Sequence, residues 1–251
     1  MFTKSAAFYD AIYSFKDYVT ESATAHHLIQ THVQGTAQHL LDVGCGTGAH
    51  SVHLQDQYQI TGIDLDAAIL EQAKKRLPDA TLMQADMLNF DLGQQFDAII
   101  CLFGVIAYAQ TLDGMAQVAA QLYRHLRPGG VALIEPFIYL DNYKPGHIGV
   151  NQAQADGATI VRMSHITLDD PLPLTQATTL SLEFHYMIGH PDGVTYEEET
   201  HRMVLASQAE YQQALASPGF HVDYDEKGLM ERGLFICTRN GVLKTPSVDV
   251  A

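Results

Sequence analysis

The segment Leu40-Leu41-Asp42-Val43-Gly44-Cys45-Gly46-Thr47-Gly48 constrains this chain more than any other. A short apolar run ends beside an acid and gives way to three alternating glycines. A strand must therefore pass into a turn whose backbone can approach a ligand closely. The dinucleotide turn is spaced Gly-x-Gly-x-x-Gly and meets a pyrophosphate where the next helix starts. Here the third glycine falls at that helix start, and Asp42 sets a negative charge where a pyrophosphate would be repelled. The same carboxylate suits a cationic ligand, such as a sulfonium bearing an ammonium group.

The surrounding pattern alternates strands with helices. Residues 5–34 read as one aromatic-rich helix ending at Gly35, followed by the strand His39–Val43 and a helix opening near Gly48 or Ala49. A strand over residues 59–63 leads to Asp64. Asp66 is the N-cap of the next helix, which Pro78 terminates. Residues 81–85 form a third strand, and residues 96–102 are apolar throughout, as expected of a strand covered on both faces. A helix over 113–126 stops at Arg127-Pro128-Gly129-Gly130, and 131–135 is the fifth strand. The expectation is a doubly wound α/β fold with a seven-stranded, mostly parallel sheet. Residues 159–167, 178–188 and 194–204 alternate instead and are broken by turns, which reads as an antiparallel β insertion after strand 5. A helix over Gln208–Ala216 and the strands His221–Asp225 and Leu234–Thr238 complete the sheet. The last ten residues read as a tail.

Two further acids follow strands in register with the glycine turn. Asp64 lies 16 residues past Gly48, where a carboxylate can accept both hydroxyls of a ribose. Asp86-Met87 follows the third strand, where the acid can accept an adenine amino proton and Met87 can meet the ring.

These residues resemble the successive motifs of the class I S-adenosylmethionine-dependent methyltransferases: Asp42 to Gly48, Asp64, Gln84-Ala85-Asp86-Met87 and Leu126-Arg127-Pro128-Gly129-Gly130. A closer resemblance spans most of the chain. Tyr9-Asp10-Ala11-Ile12-Tyr13, Lys16-Asp17-Tyr18, residues 73–80, Arg162-Met163-Ser164-His165 and Arg232-Gly233-Leu234-Phe235 are similar to N,N-dimethyltransferases of nucleotide-linked amino sugars, the desosamine and mycaminose type. That resemblance implies S-adenosyl-L-methionine as cofactor, held by Tyr18, Asp42, Gly44, Gly46, Gly48, Asp64, Leu65, Asp86, Met87 and Leu102. It implies a methyltransferase domain over 1–136 and 206–241 with an N-terminal helical lid. The insertion, 137–205, would contribute to the substrate pocket and to a homodimer. Phe103-Gly104-Val105-Ile106-Ala107-Tyr108 and Glu135-Pro136-Phe137-Ile138 replace serines and tryptophans of the family pattern, which predicts a smaller, more apolar acceptor pocket.

Methyl transfer to an amine demands positioning and an uncharged nucleophile more than a strong base. Tyr13 and Tyr108 are the candidates to orient the nitrogen, and Arg232 and His165 to bind the acceptor. His201 reads as a strand-surface imidazole, and Glu197-Glu198-Glu199 as a solvated charge run. The expected function is methyl transfer to a nitrogen of a small molecule such as an amino sugar. An O-methyltransferase, a glycine-type N-methyltransferase and, from another class, an NAD-dependent oxidoreductase remain open alternatives.

Composition narrows the partners. A formal charge of −15 with only 14 basic residues disfavours nucleic acid, and an acidic surface favours neutral or cationic acceptors over polyanions. Cys45, Cys101 and Cys237 lie far apart without zinc spacing and read as reduced core thiols, and no metal is expected. The start lacks signal-peptide order, and the longest apolar run, 98–109, falls short of the ~20 residues that span a bilayer. The expected location is the cytoplasm.

Overall fold

A computed structural model of the chain describes residues 8–172 and 174–241. Seven strands form one sheet: β1 (His39–Val43), β2 (Gln59–Asp64), β3 (Thr81–Gln84), β4 (Phe96–Cys101), β5 (Leu126–Ile134), β10 (His221–Asp225) and β11 (Leu234–Thr238). Their spatial order is β10-β11-β5-β4-β1-β2-β3. The five central and distal strands run parallel, while β11 pairs antiparallel with both β5 and β10. Chain order reverses between β1 and β4, and such a switch point opens a crevice at the carboxyl ends of the strands.

The alternation of β4 explains why its sequence is apolar throughout. Ile99 and Cys101 enter one core cluster, while Ala98 and Ile100 enter the other across the sheet. Ala25 and Ile29 of α2 (Tyr18–His32) cover the second cluster. On the other face lie α4 (Leu112–His125) and α5 (Gln208–Ala216), started by the capping box of Ser207 and Glu210. Asp66 caps α3 (Ala67–Arg76) by accepting the Ala68 N–H at 2.8 Å. All three cysteines are buried and free.

The N-terminal segment is not one helix. Among the described residues it splits into the single turn α1 (Tyr9–Ile12) and α2, because the chain between them turns Lys16 inward. The Lys16 ammonium lies 2.9 Å from the buried Glu21 carboxylate, which His50 also meets at 2.8 Å. Residues 5–7 and the expected tail over 242–251 lie outside the described residues. The helix expected after Gly48 is only a 3-10 turn, Ser51–His53. Ser51 is tied to Asp42, and the His50 carbonyl to Ser22 of α2, so the loop is pinned before a helix can develop.

The insertion is a four-stranded antiparallel sheet in the order β6-β7-β8-β9: β6 (Ile148–Ala155), β7 (Ala158–Leu168), β8 (Thr178–His190) and β9 (Gly193–Leu205). The edge strand β6 was absent from the sequence pattern, since Asn151, Gln152 and Gln154 interrupt its apolar positions. The inner face, including Ile160, Phe184 and Tyr186, joins the core cluster that also contains Tyr13.

Candidate active site

The site forms at the carboxyl ends of β1, β2, β3 and β4. The Gly44 and Cys45 N–H groups both donate to the Ile63 carbonyl, at 2.8 and 3.0 Å, which locks the turn onto β2. The Gly46 N–H donates to Asp64 Oδ2 at 2.9 Å, and the Asp66 N–H donates to Asp64 Oδ1 at 3.0 Å. Asp64 thus positions the turn as well as facing the crevice. Gly46 has φ +55° and a Cβ there would meet nothing within 4 Å, so the backbone is laid open to a ligand.

Two adjoining cavities share Tyr9, Gly44, Gly46, Val105 and Tyr108 in their walls. The smaller, of about 350 Å³, runs along Asp64, Leu65, Asp86 and Met87. The larger, of about 500 Å³, is lined by Tyr18, Asp42, Leu102, Tyr13, Arg162 and Arg232, among others. Burial pushes the Asp42 carboxyl up to about 6, against the opposing effect of the Ser51 hydroxyl that donates to it at 2.6 Å. Burial also raises Asp64, in spite of the backbone N–H groups of Asp66, Gly46 and Leu65 that favour its carboxylate. Both acids are therefore short of positive charge, which a cationic ligand would supply. An open glycine cradle, three carboxylates in strand order and an apolar slot beside Met87 fit an adenosyl sulfonium with an amino-acid tail. Gly48 lines neither cavity; with φ +74°, its missing Cβ makes room for Leu77 of the α3 terminus.

The N-terminal segment closes over the turn. Thr47 donates its hydroxyl hydrogen to Asp10 at 2.7 Å, and Arg76 spans both, reaching Asp10 at 2.5 Å and the Thr47 carbonyl at 2.9 Å. Tyr18 packs edge-on against His50.

The acceptor side differs most from sequence expectation. Tyr13 is buried, and its hydroxyl accepts a 2.8 Å hydrogen bond from the Arg162 guanidinium, which also stacks over the Tyr13 and Phe184 rings. Arg162 Nη2 donates to Asn151, and its buried Nε has no hydrogen-bond partner among the described residues. Arg232 lies over the Phe103 ring, 3.5 Å from the fully buried Glu135 carboxylate. The other Glu135 oxygen accepts the Phe103 N–H at 2.5 Å and holds that residue at φ +57°, so the chain leaving β4 is bent into the cavity wall. Phe137 and Ile138 add apolar wall.

His165 does not join this group. Successive residues of a strand point to opposite faces, and on β7 Arg162 and Ser164 face the cavity while His165 faces outward, 3.9 Å from Glu183. Two surface expectations are corrected in the same way. His201 is 2% exposed, with its Nδ1 2.8 Å from the Tyr108 hydroxyl, and Glu199 is buried beside it. The acidic whole also conceals two arginines, Arg162 and Arg232, in the wall of the larger cavity. Sequence reasoning missed Arg162, Glu135 and Lys16 as site residues; for Arg162 the signal was a charge set among the apolar residues of a strand.

Fold, glycine turn and ordered carboxylates define a class I S-adenosylmethionine-dependent methyltransferase. The family model for a methyltransferase domain matches residues 40–130. The chain is 37% identical over 237 residues to dTDP-3-amino-3,6-dideoxy-alpha-D-glucopyranose N,N-dimethyltransferase of Streptomyces fradiae, covering 92% of this chain and 89% of the relative. The crystal structure of Streptomyces venezuelae DesVI superposes with a TM-score of 0.81 at 34% identity, covering 94% of this chain and 98% of the other. CalS10, an amino pentose methyltransferase from Micromonospora echinaspora solved with S-adenosylmethionine bound, gives 0.78 at 32% identity over 92% and 96% of the two chains. This chain belongs to the S-adenosylmethionine-dependent methyltransferases, in the group of the amino-sugar N,N-dimethyltransferases.

Proposed function

We propose that this enzyme methylates the amino nitrogen of a nucleotide-linked amino sugar, in two successive transfers. One observation carries the reading: the larger cavity sets two arginines, Arg162 and Arg232, in an aromatic wall beside Tyr13 and Tyr108. The two guanidinium groups match an anionic carrier attached to the amine, which glycine lacks.

Bound S-adenosylmethionine supplies an electrophilic methyl group. Asp42 and Asp64 would hold positive and hydroxyl groups of the ligand, Asp86 and Met87 would take its ring, and Leu65 and Leu102 would add apolar contact. Tyr13 and Tyr108 orient the acceptor nitrogen. Alignment and desolvation account for much of the rate, so no strong base is required of the protein.

The insertion, 137–205, then serves both pocket and assembly. Its outward face exposes Val150, Met163, Met187 and Tyr196 side by side, which supports a homodimer across that sheet. Reduced thiols, and the absence among the described residues of a helix long and apolar enough to cross a membrane, support a cytoplasmic site of action.

The test is incubation with S-adenosylmethionine and dTDP-3-amino-3,6-dideoxy-α-D-glucopyranose, with glycine and the corresponding 3-hydroxy sugar nucleotide in parallel. Mass gains of one and then two methyl groups on the amine are expected. Methylation of only the hydroxyl compound, or only of glycine, would reject the reading.

A further inference from the structure

From the wall of the smaller cavity, which includes Tyr108 and His201, a chain of polar groups runs into the insertion. Tyr108 sits on the 3-10 turn Val105–Ala109 after β4 and lines both cavities. Its hydroxyl is 2.8 Å from His201 Nδ1, and the two rings meet edge-on at 5.7 Å. Residues 199 and 201 of β9 share the inner face because they are two apart. His201 Nε2 thereby lies 3.7 Å from Glu199 Oε2, which also accepts the Tyr186 hydroxyl at 3.3 Å. The Phe184 ring closes one side of the imidazole. Burial holds His201 below the usual imidazole range; Glu199 favours the imidazolium and Arg162 opposes it. At neutral pH the ring is therefore neutral, so one of its nitrogens accepts and the other donates.

We propose that His201 is the positioning residue for Tyr108 and the recipient of its proton during methyl transfer. His201 Nδ1 accepts the Tyr108 O–H, which turns a phenol lone pair toward the acceptor nitrogen. That nitrogen forms its bond to the methyl carbon as the carbon–sulfur bond breaks, with the sulfur keeping the pair. The new ammonium gives its N–H proton to the Tyr108 oxygen, the phenol proton moves to His201 Nδ1, and the resulting imidazolium lies beside the Glu199 carboxylate. This deprotonation restores the lone pair that a second methyl transfer requires. The inference rests on the amino-nitrogen reading above.

Two measurements test it. In the free wild-type protein, nitrogen NMR of the His201 ring should find Nδ1 unprotonated and the proton on Nε2 at pH 7.5, with Tyr108→Phe shifting the Nδ1 signal. A proton on Nδ1 reverses the relay and overturns the proposal. In turnover of the amino-sugar nucleotide named above, His201→Asn keeps an acceptor for the phenol but cannot take up its proton. Its kcat should fall at least about tenfold, with KM and S-adenosylhomocysteine affinity within about twofold of wild type. Adding Tyr108→Phe should lower kcat little further, since both act through one chain. Unchanged kcat in His201→Asn, or effects that multiply, would overturn the proposal. Should His201→Asn not fold, Tyr108→Phe and the ring tautomer decide. Wild type inert toward the sugar, with the expected tautomer present, would instead defeat the acceptor reading and leave the Tyr108–His201 geometry standing.

Discussion

Gly46→Ala and Gly48→Ala separate two roles within a single turn. Both glycines adopt left-handed backbone, at φ +55° and +74°, where a Cβ costs about 1–2 kcal/mol. At Gly46 the added methyl meets no protein atom within 4 Å and projects into the cavities. At Gly48 it lies 2.6 Å from Leu77 Cδ1, and Leu77 is only 1% exposed, so it cannot swing aside into solvent. Overpacking of that kind adds about 1–3 kcal/mol. A chain of this size loses about 2–4 °C of melting temperature per kcal/mol, so Gly46→Ala should melt about 2–8 °C lower and Gly48→Ala about 4–20 °C lower. Binding should run the other way. Calorimetry with S-adenosylhomocysteine, at a temperature where both variants are folded, should show Gly46→Ala weakened at least tenfold, or about 1.4 kcal/mol. Gly48→Ala should bind nearly as wild type does. If Gly48→Ala loses affinity while Gly46→Ala keeps it, the division of labour argued from the turn is wrong.

Asp42 predicts a pH dependence whose sign differs between binding and stability. Its carboxyl is raised to about 6 in the fold, so the free protein loses stability as pH climbs from its unfolded value through about 6. Binding of the cationic cofactor needs the carboxylate, so affinity should drop by up to about tenfold per pH unit below 6. Asp42→Asn should be weaker and flat from pH 5 to 8, and a wild-type affinity that is itself flat there would contradict the assignment. Tyr13→Phe removes the acceptor of a buried Arg162 donor, which should cost about 1–3 kcal/mol of stability in chemical denaturation. It should also lower turnover while leaving S-adenosylhomocysteine affinity intact; affinity falling in step with turnover would place Tyr13 in the lid alone.

The amino-acid sequence by itself determined the sheet, the glycine turn and the order of Asp42, Asp64 and Asp86, because each is written locally. A strand's apolar run, a glycine spacing and an N-cap act within a few residues and need no partner to be recognised. The acceptor wall depends on information of another kind. On β7, residues 159–166 are apolar enough at both parities that alternation alone does not reveal whether Arg162 or His165 faces the core. Packing of the insertion against Tyr13 and Phe184 decides for Arg162. Glu199 and His201 read as surface groups because three acids in a row resemble a solvated run, yet the register of β9 with β8 turns every second one inward. The helix expected after Gly48 fails for a similar reason, since Ser51 and His50 are claimed by Asp42, Glu21 and Ser22. Pairing across tens to hundreds of residues sets these side chains, and only the closed tertiary structure fixes which of two equally local patterns is buried.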